Sequence, residues 1–131
     1  MLDMLVLAAK KALPKDKNDP RSFWIGCIAI RKDGVKISSR NGAVHSTTTV
    51  NYQLIPSSHA EGRIVKKIDK GATLYISRVL RRDGSYAMAK PCPMCSITIK
   101  SHKVKKVFFT IDNLHFGVWN VADDTYYIFD A

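Results

Sequence analysis

Two cysteines stand three apart in the segment Pro91-Cys92-Pro93-Met94-Cys95, and His59 and Glu61 stand two apart upstream of them. On a helix, positions three apart share a face with their Cβ atoms about 5–6 Å apart, so both sulfurs can hold one metal ion. His59 is the candidate third ligand. Two thiolates and one imidazole leave a position open on Zn²⁺ for water, the layout of a catalytic centre, whereas a structural centre closes with a fourth protein ligand. A helix N-terminus at Cys92 and Cys95 would favour thiolate over thiol and so ease metal binding at neutral pH. Glu61 is the single glutamate among eleven acids, and its reach from two residues beyond His59 suits a general base acting on that water. The same residue also completes Ser58-x-x-Glu61, a capping box that needs no catalysis to explain it.

The elements that must position these residues are legible in the patterning. Leu2, Leu5, Val6, Ala9 and Leu13 repeat at helical spacing, and Pro14 stops the pattern, so a helix is predicted over 2–13. FWIGCIAI and VKIS flank an Asp33-Gly34 turn as a β-hairpin. Residues 40–56, rich in Ser, Thr and Asn, read as a long polar loop ending at Pro56. A second helix should start at Ser57 or Ser58, carry His59 and Glu61 in its first turn, and end at Gly71. TLYISRVL is a third strand, followed by a turn at 82–85. A third helix opens at PCPMCSITIKS with Pro93 in its first turn. VKKVFFTI is a fourth strand and DTYYIF a fifth, joined by an irregular stretch holding Phe116 and Trp119. Helices and strands in this order point to helices layered on a central sheet.

Composition sets the outer bounds. With 131 residues, 46% of them hydrophobic, the chain suffices for one core and is too short for two ordinary domains, so residues 1–131 read as a single domain. The longest apolar run, 23–30, is too short to span a bilayer, and no signal-peptide pattern opens the chain, so a cytoplasmic protein with no membrane partner is expected. Three cysteines, an odd number, argue for metal or redox chemistry rather than a disulfide framework. Residues 1–111 hold all 21 Lys and Arg against seven acids, a net of +14, while the last twenty residues hold four aspartates and no Lys or Arg. Such a field favours phosphate-bearing partners, either mononucleotides or single-stranded nucleic acid, unless it is merely a solvated basic surface. Cys27 lies inside an apolar strand and reads as core; His45, His102 and His115 read as exposed loop residues.

His59-Ala60-Glu61 followed by Pro91-Cys92-Pro93-Met94-Cys95 resembles the zinc-binding region of the cytidine and deoxycytidylate deaminase superfamily, with matching element order over residues 2–111. The resemblance implies an α/β, three-layer sandwich, a cytidine-deaminase-like fold whose central mixed sheet of about five strands is covered by helices. It implies His59, Cys92 and Cys95 as Zn²⁺ ligands, Glu61 as proton shuttle, and Asn41 as a sugar or base contact, although Asn41-Gly42 is also an ordinary turn pair. Ala60, Arg78, Arg81 and Phe116 complete the candidate substrate contacts. Arg78, Arg81 and Arg82 lie in a fifteen-residue excursion between Tyr75 and Pro91, longer than is usual in the family, which either holds phosphate or is a solvated turn. Phe116 and Trp119 either stack on a base or seal the core. Only twenty residues follow Ile111, which favours an antiparallel last strand or a clipped topology, because a parallel connection needs a crossover of a dozen or more residues. Family members often form symmetric assemblies, so a homo-oligomer is expected.

Three functions follow from these residues. The first is hydrolytic deamination of the cytosine base of a free nucleoside or nucleotide. The second is deamination of single-stranded DNA or RNA, including tRNA-type adenosine, favoured by the basic body. The third is a non-catalytic, zinc-stabilised binding module.

Overall fold

The computed structural model describes residues 2–13, 23–40, 47–50, 53–56, 70–91 and 93–130. Helix α1 (Leu2–Ala12) has Asp3 in its first turn and Lys10 and Lys11 in its last, each charge matched to the helix dipole. Strands β1 (Phe23–Ile30) and β2 (Lys36–Arg40) pair antiparallel. Between them Arg31 N–H donates to the Val35 carbonyl (2.8 Å), the Asp33 carboxylate accepts from Val35 N–H (3.1 Å), and Gly34 takes φ 91°. That positive φ suits glycine, as the Asp-Gly pair implies.

Residues 47–50 and 53–56 are not loop. They form β3 (Thr47–Val50) and β4 (Gln53–Pro56), an antiparallel ladder separate from the main sheet. Runs of threonine read as polar loop, yet β-branching suits Thr to a ladder once a partner strand is supplied. The helix expected from Ser57 lies outside the described residues.

The other described strands build one mixed sheet. Strands β5 (Thr73–Leu80), β6 (Tyr86–Ala87), β7 (Lys106–Thr110), β8 (His115–Asn120) and β9 (Thr125–Asp130) join β1 and β2, with helix α2 (Pro93–Ser101) between β6 and β7. Strand order is β2-β1-β5-β7-β8-β9, and β6 pairs with the end of β5 beyond β7. The sheet therefore has seven strands where about five were expected. The surplus is β6 and β8, and β8 takes up the stretch predicted to be irregular. Only β5–β7 is parallel among the described pairs, and α2 supplies its crossover. The last described strands, β8 and β9, are antiparallel to their neighbours.

Strand alternation sorts the core onto two faces. Cys27, Ala29, Leu74, Ile76, Val107, Phe109 and Trp119 are buried on one face together with Ile99 of α2. Leu5 of α1 packs against Phe116, Val118, Tyr75 and Phe108 on the other. The buried side of α1 is Leu5, Ala8, Ala9 and Ala12, while Val6 and Leu13 stay exposed. Small residues win because α1 lies directly on the strand: a Cβ at Gly26 would overlap the Ala8 carbonyl oxygen and crowd Ala12. Beside Gly26 in register, the buried Ser77 hydroxyl donates to the Leu5 carbonyl at 2.6 Å. On the opposite face Gly117 leaves room for the Phe109 ring, which a Cβ would strike. No helix among the described residues is long and apolar enough to cross a membrane.

Three stability outcomes follow from this packing. Gly26→Ala should lower unfolding free energy by at least the about 1–3 kcal/mol of an overpacked core, and Ser77→Ala by about 1–2 kcal/mol, both read from urea midpoints at constant slope. Asp124 is held below the usual carboxylate range by the hydrogen bond from the Trp119 indole N–H (2.9 Å) and, further, by Lys100. A depressed carboxyl stabilises the fold above its unfolded pKa and loses that contribution as pH falls through its folded pKa. Asp124→Asn should therefore weaken the fold at neutral pH and flatten the loss of stability below about pH 4.

Candidate metal centre and catalytic face

Cys95 sits in the first turn of α2 and is 5% exposed. Pro93 opens the helix, where its missing N–H costs nothing, and no acid occupies the first turn to compete for the positive end of the dipole. Ser96 Oγ donates back to the Pro91 carbonyl at 3.3 Å, folding the helix start onto the buried Pro91. A buried sulfur in such a turn can be carried as thiolate only with N–H donors or a cation beside it, so the described half of the motif fits a Zn²⁺ ligand. Cys27, also a buried thiol, lies mid-strand in β1 within the core, as expected from its apolar run.

The segment leading into α2 is tied to the carboxyl end of the parallel strand pair. Thr110, the last residue of β7 and 4% exposed, donates its hydroxyl to the Ala87 carbonyl (2.8 Å) and accepts from Arg78 N–H (3.1 Å). Its own carbonyl accepts from Ala89 N–H at 2.9 Å. The Asn113 side chain adds a bond from Tyr86 N–H at 2.8 Å. Pro91 and α2 thus begin outside the carboxyl ends of β5 and β7, where open α/β sheets place their ligand sites. Sequence reasoning missed Thr110 and Asn113; the only signal was a polar residue closing the apolar run VKKVFFT.

Arg78 continues the alternation of Leu74 and Ile76, so it points to the α2 face. Its guanidinium carbon lies 4.0 Å over the Phe23 ring centroid, and its Nε is buried with no hydrogen-bond partner. Arg81 and Arg82 occupy the exposed β5–β6 turn, where Arg82 reaches Asp83 only at 3.9 Å. The structure therefore separates the arginines into one half-buried group on the α2 face and an exposed pair at the turn.

Phe116 is placed differently from the expectation. It belongs to β8 rather than to a substrate loop, is 5% exposed, faces α1, and stacks on Phe129 with ring centroids 5.4 Å apart. It lies on the opposite side of the sheet from Ile99 of α2, because the β7–β8 register pairs it with Thr110 and alternation does the rest. Trp119 is fully buried, so it too is core. His115 hydrogen-bonds Asp112 at 2.9 Å, and exposed His102 contacts the Thr98 carbonyl at 3.0 Å. His59, Ala60, Glu61, Cys92, Asn41 and His45 lie outside the described residues.

The family model described as the cytidine and deoxycytidylate deaminase zinc-binding region matches residues 1–111. Among solved structures, the chain is similar to cytidine deaminase from Mycobacterium tuberculosis, with 19% identity over 93% of this chain and 90% of that one and a TM-score of 0.51. A glutamate-to-aspartate mutant of that enzyme aligns at 19% identity over 93% and 88% of the two chains, with a TM-score of 0.48. At this identity the first likeness speaks to the fold, and it agrees with the mixed sheet and its flanking helices. No curated protein sequence matches the chain. The match over residues 1–111 contains the whole H-A-E and P-C-P-M-C pattern, and the chain belongs to the family of cytidine and deoxycytidylate deaminases that carry this zinc-binding region.

Proposed function

We propose that this protein is a cytoplasmic hydrolase that converts the cytosine base of a nucleoside or nucleotide to uracil, releasing ammonia. The observation that carries this reading is Cys95, buried in the first turn of α2 at the carboxyl end of the parallel strands, within a matched zinc-binding region. His59, Cys92 and Cys95 would hold Zn²⁺, which when bound lowers the pKa of a coordinated water toward neutrality. Glu61 takes a proton from the attacking water as the oxygen bonds to C4, and delivers it to ring N3. It then carries a second proton from the new C4 hydroxyl to the amine, so that the C4–N bond breaks with ammonia leaving. A carboxylate that works twice must reach two sites, which favours the longer Glu over Asp.

Asn41, Ala60, Arg78 and Arg81 are the proposed substrate contacts. Arg78 has the most support: a half-buried guanidinium stacked on Phe23 with an unsatisfied Nε is a site for a carbonyl or phosphate oxygen. The second reading, a single-stranded nucleic acid substrate, draws on the +14 of residues 1–111 and on the exposed Arg81 and Arg82.

Glu61→Ala should keep its zinc and its urea midpoint while turnover falls by about 10²–10⁴-fold; substantial ammonia release from this variant would overturn the assignment. Ammonia release measured on cytidine, deoxycytidine, their monophosphates, adenosine and single-stranded oligonucleotides separates the readings. The Arg81→Ala, Arg82→Ala double variant should raise KM for a monophosphate about two- to fivefold, the worth of an exposed ion pair, and leave a nucleoside unchanged. Steep salt dependence on an oligonucleotide, removed by the same double substitution, would favour the polynucleotide reading instead.

A further inference from the structure

Six lysines come together at one end of the sheet. Thr73, which opens β5, pairs in register with Ile30 of β1 and with Lys106 of β7, and Ile30 pairs in turn with Lys36 of β2. Two backbone hydrogen bonds hold the approach to β7 against the approach to β5: Gly71 N–H donates to the Lys103 carbonyl (2.9 Å) and Lys105 N–H to the Ala72 carbonyl (2.8 Å). Gly71 also lies beside the stem of Lys32, whose Cδ a Cβ there would meet at 3.7 Å. Lys32, Lys36, Lys70, Lys103, Lys105 and Lys106 thus share one end of four neighbouring strands, and all but half-buried Lys106 are exposed.

The acids at this end are engaged elsewhere. Asp33 meets Arg31 (3.2 Å), Asp124 meets Lys100 (3.4 Å), and Asp123 accepts from the Asn120 side-chain amide (3.2 Å). Among the described residues none of the six lysines forms an ion pair. Lys103 follows α2 in a left-handed conformation, φ 55°, where glycine is the usual residue and a side chain costs stability. A cation stands where backbone preference asks for glycine.

Spacing selects the partner. Four strands about 4.8 Å apart spread this charge over about 14 Å, a length of duplex that holds about eight phosphates at one per about 1.7 Å of axis. Single strands are gripped by stacking their bases on aromatic rings, and none of the six lysines is flanked by an aromatic residue in sequence or in strand register. None lies on an amphipathic helix of the described residues, the usual membrane-facing device. We propose that this lysine end of the sheet docks the phosphate backbone of double-stranded nucleic acid, without reading sequence. The candidate metal centre lies beyond the opposite end of the eight-residue β5, about 23 Å away, and bases within a duplex are out of its reach. The docked duplex is therefore a tether and not the substrate, whichever base the zinc centre takes.

The test is fluorescence anisotropy of a labelled DNA duplex of about 20 base pairs, titrated with the zinc-loaded full chain between about 50 and 200 mM salt. The wild-type protein should bind unrelated sequences alike, with a log–log salt slope between about −3 and −5, since each neutralised phosphate contributes about −0.9. Lys70→Gln, Lys103→Gly and Lys105→Gln together should weaken binding at least about tenfold and make the slope shallower by about 2–3, with the urea midpoint unchanged or raised by the glycine. Lys10→Gln, Lys11→Gln and Arg82→Gln remove the same charge elsewhere and should weaken binding less than about threefold. Equal losses in the two triple variants would mean attraction by net charge without a site, and would overturn the proposal. So would an absence of binding at the lowest salt, or phosphatidylserine vesicles held through these lysines while the duplex is not.

Discussion

Around Thr110, two different partners of one strand edge have to be reconciled. β5 is bonded along Thr73–Ile76 to β7 and at Arg78–Val79 to β6 on the same side, and between them neither ladder supplies a partner. The Thr110 hydroxyl fills that junction, accepting from Arg78 N–H and donating to the Ala87 carbonyl, while its own carbonyl takes Ala89 N–H. Left unmet, these buried and part-buried backbone groups would lose water without gaining a partner, at a cost in stability. The path of the chain into Pro91 and α2 is set by these bonds, and with it the place of Cys95. A centre that needs its ligands held within fractions of an ångström gains from being anchored to strands and a helix rather than to a free loop.

The two faces of the sheet are packed by opposite means. On the α1 side, backbone approaches backbone: Gly26, Ala8 and Ala12 remove side-chain bulk, and Ser77 uses the second lone pair of the Leu5 carbonyl, whose first serves the helix. On the α2 side, volume is supplied by Leu74, Ile76, Ile99, Val107, Phe109 and Trp119. Gly117 is the exception that leaves space for the Phe109 ring beside β8. Each glycine thus stands where a neighbour must come close, on opposite faces of one sheet.

The acidic tail is not a uniform counterweight to the basic body. Asp112 is held below the usual carboxylate range by the Leu114 N–H and then by His115, closing the β7–β8 turn. Asp124 accepts from Trp119 and pairs with Lys100 at 3.4 Å, linking the β8–β9 turn to the last turn of α2. Lys100 and Lys90 also sit over the Trp119 and Tyr126 rings, which lie stacked on each other at 5.6 Å. Charges that look like composition in the sequence are, in the fold, turn and edge fittings with short reach.

The local signals in the sequence were enough for the metal motif, the strands 23–30 and 73–80, the Asp33-Gly34 turn, and Pro93 at the start of its helix. Each rests on residues near one another in the chain, where spacing and backbone preference act directly. Other features needed distant contacts. Threonine-rich 47–50 became a strand only opposite 53–56, and the stretch around Phe116 became β8 only by pairing with β7 on one side and β9 on the other. Alternation shows which side chains share a face but not which helix covers it, so Phe116 could be assigned to the core, and Arg78 to the α2 side, only once the sheet was assembled. The same holds for α1: hydropathy alone puts Val6 and Leu13 on its inner face. Its approach to Gly26 buries Ala8 and Ala12 there instead, because that separation leaves no room for anything larger.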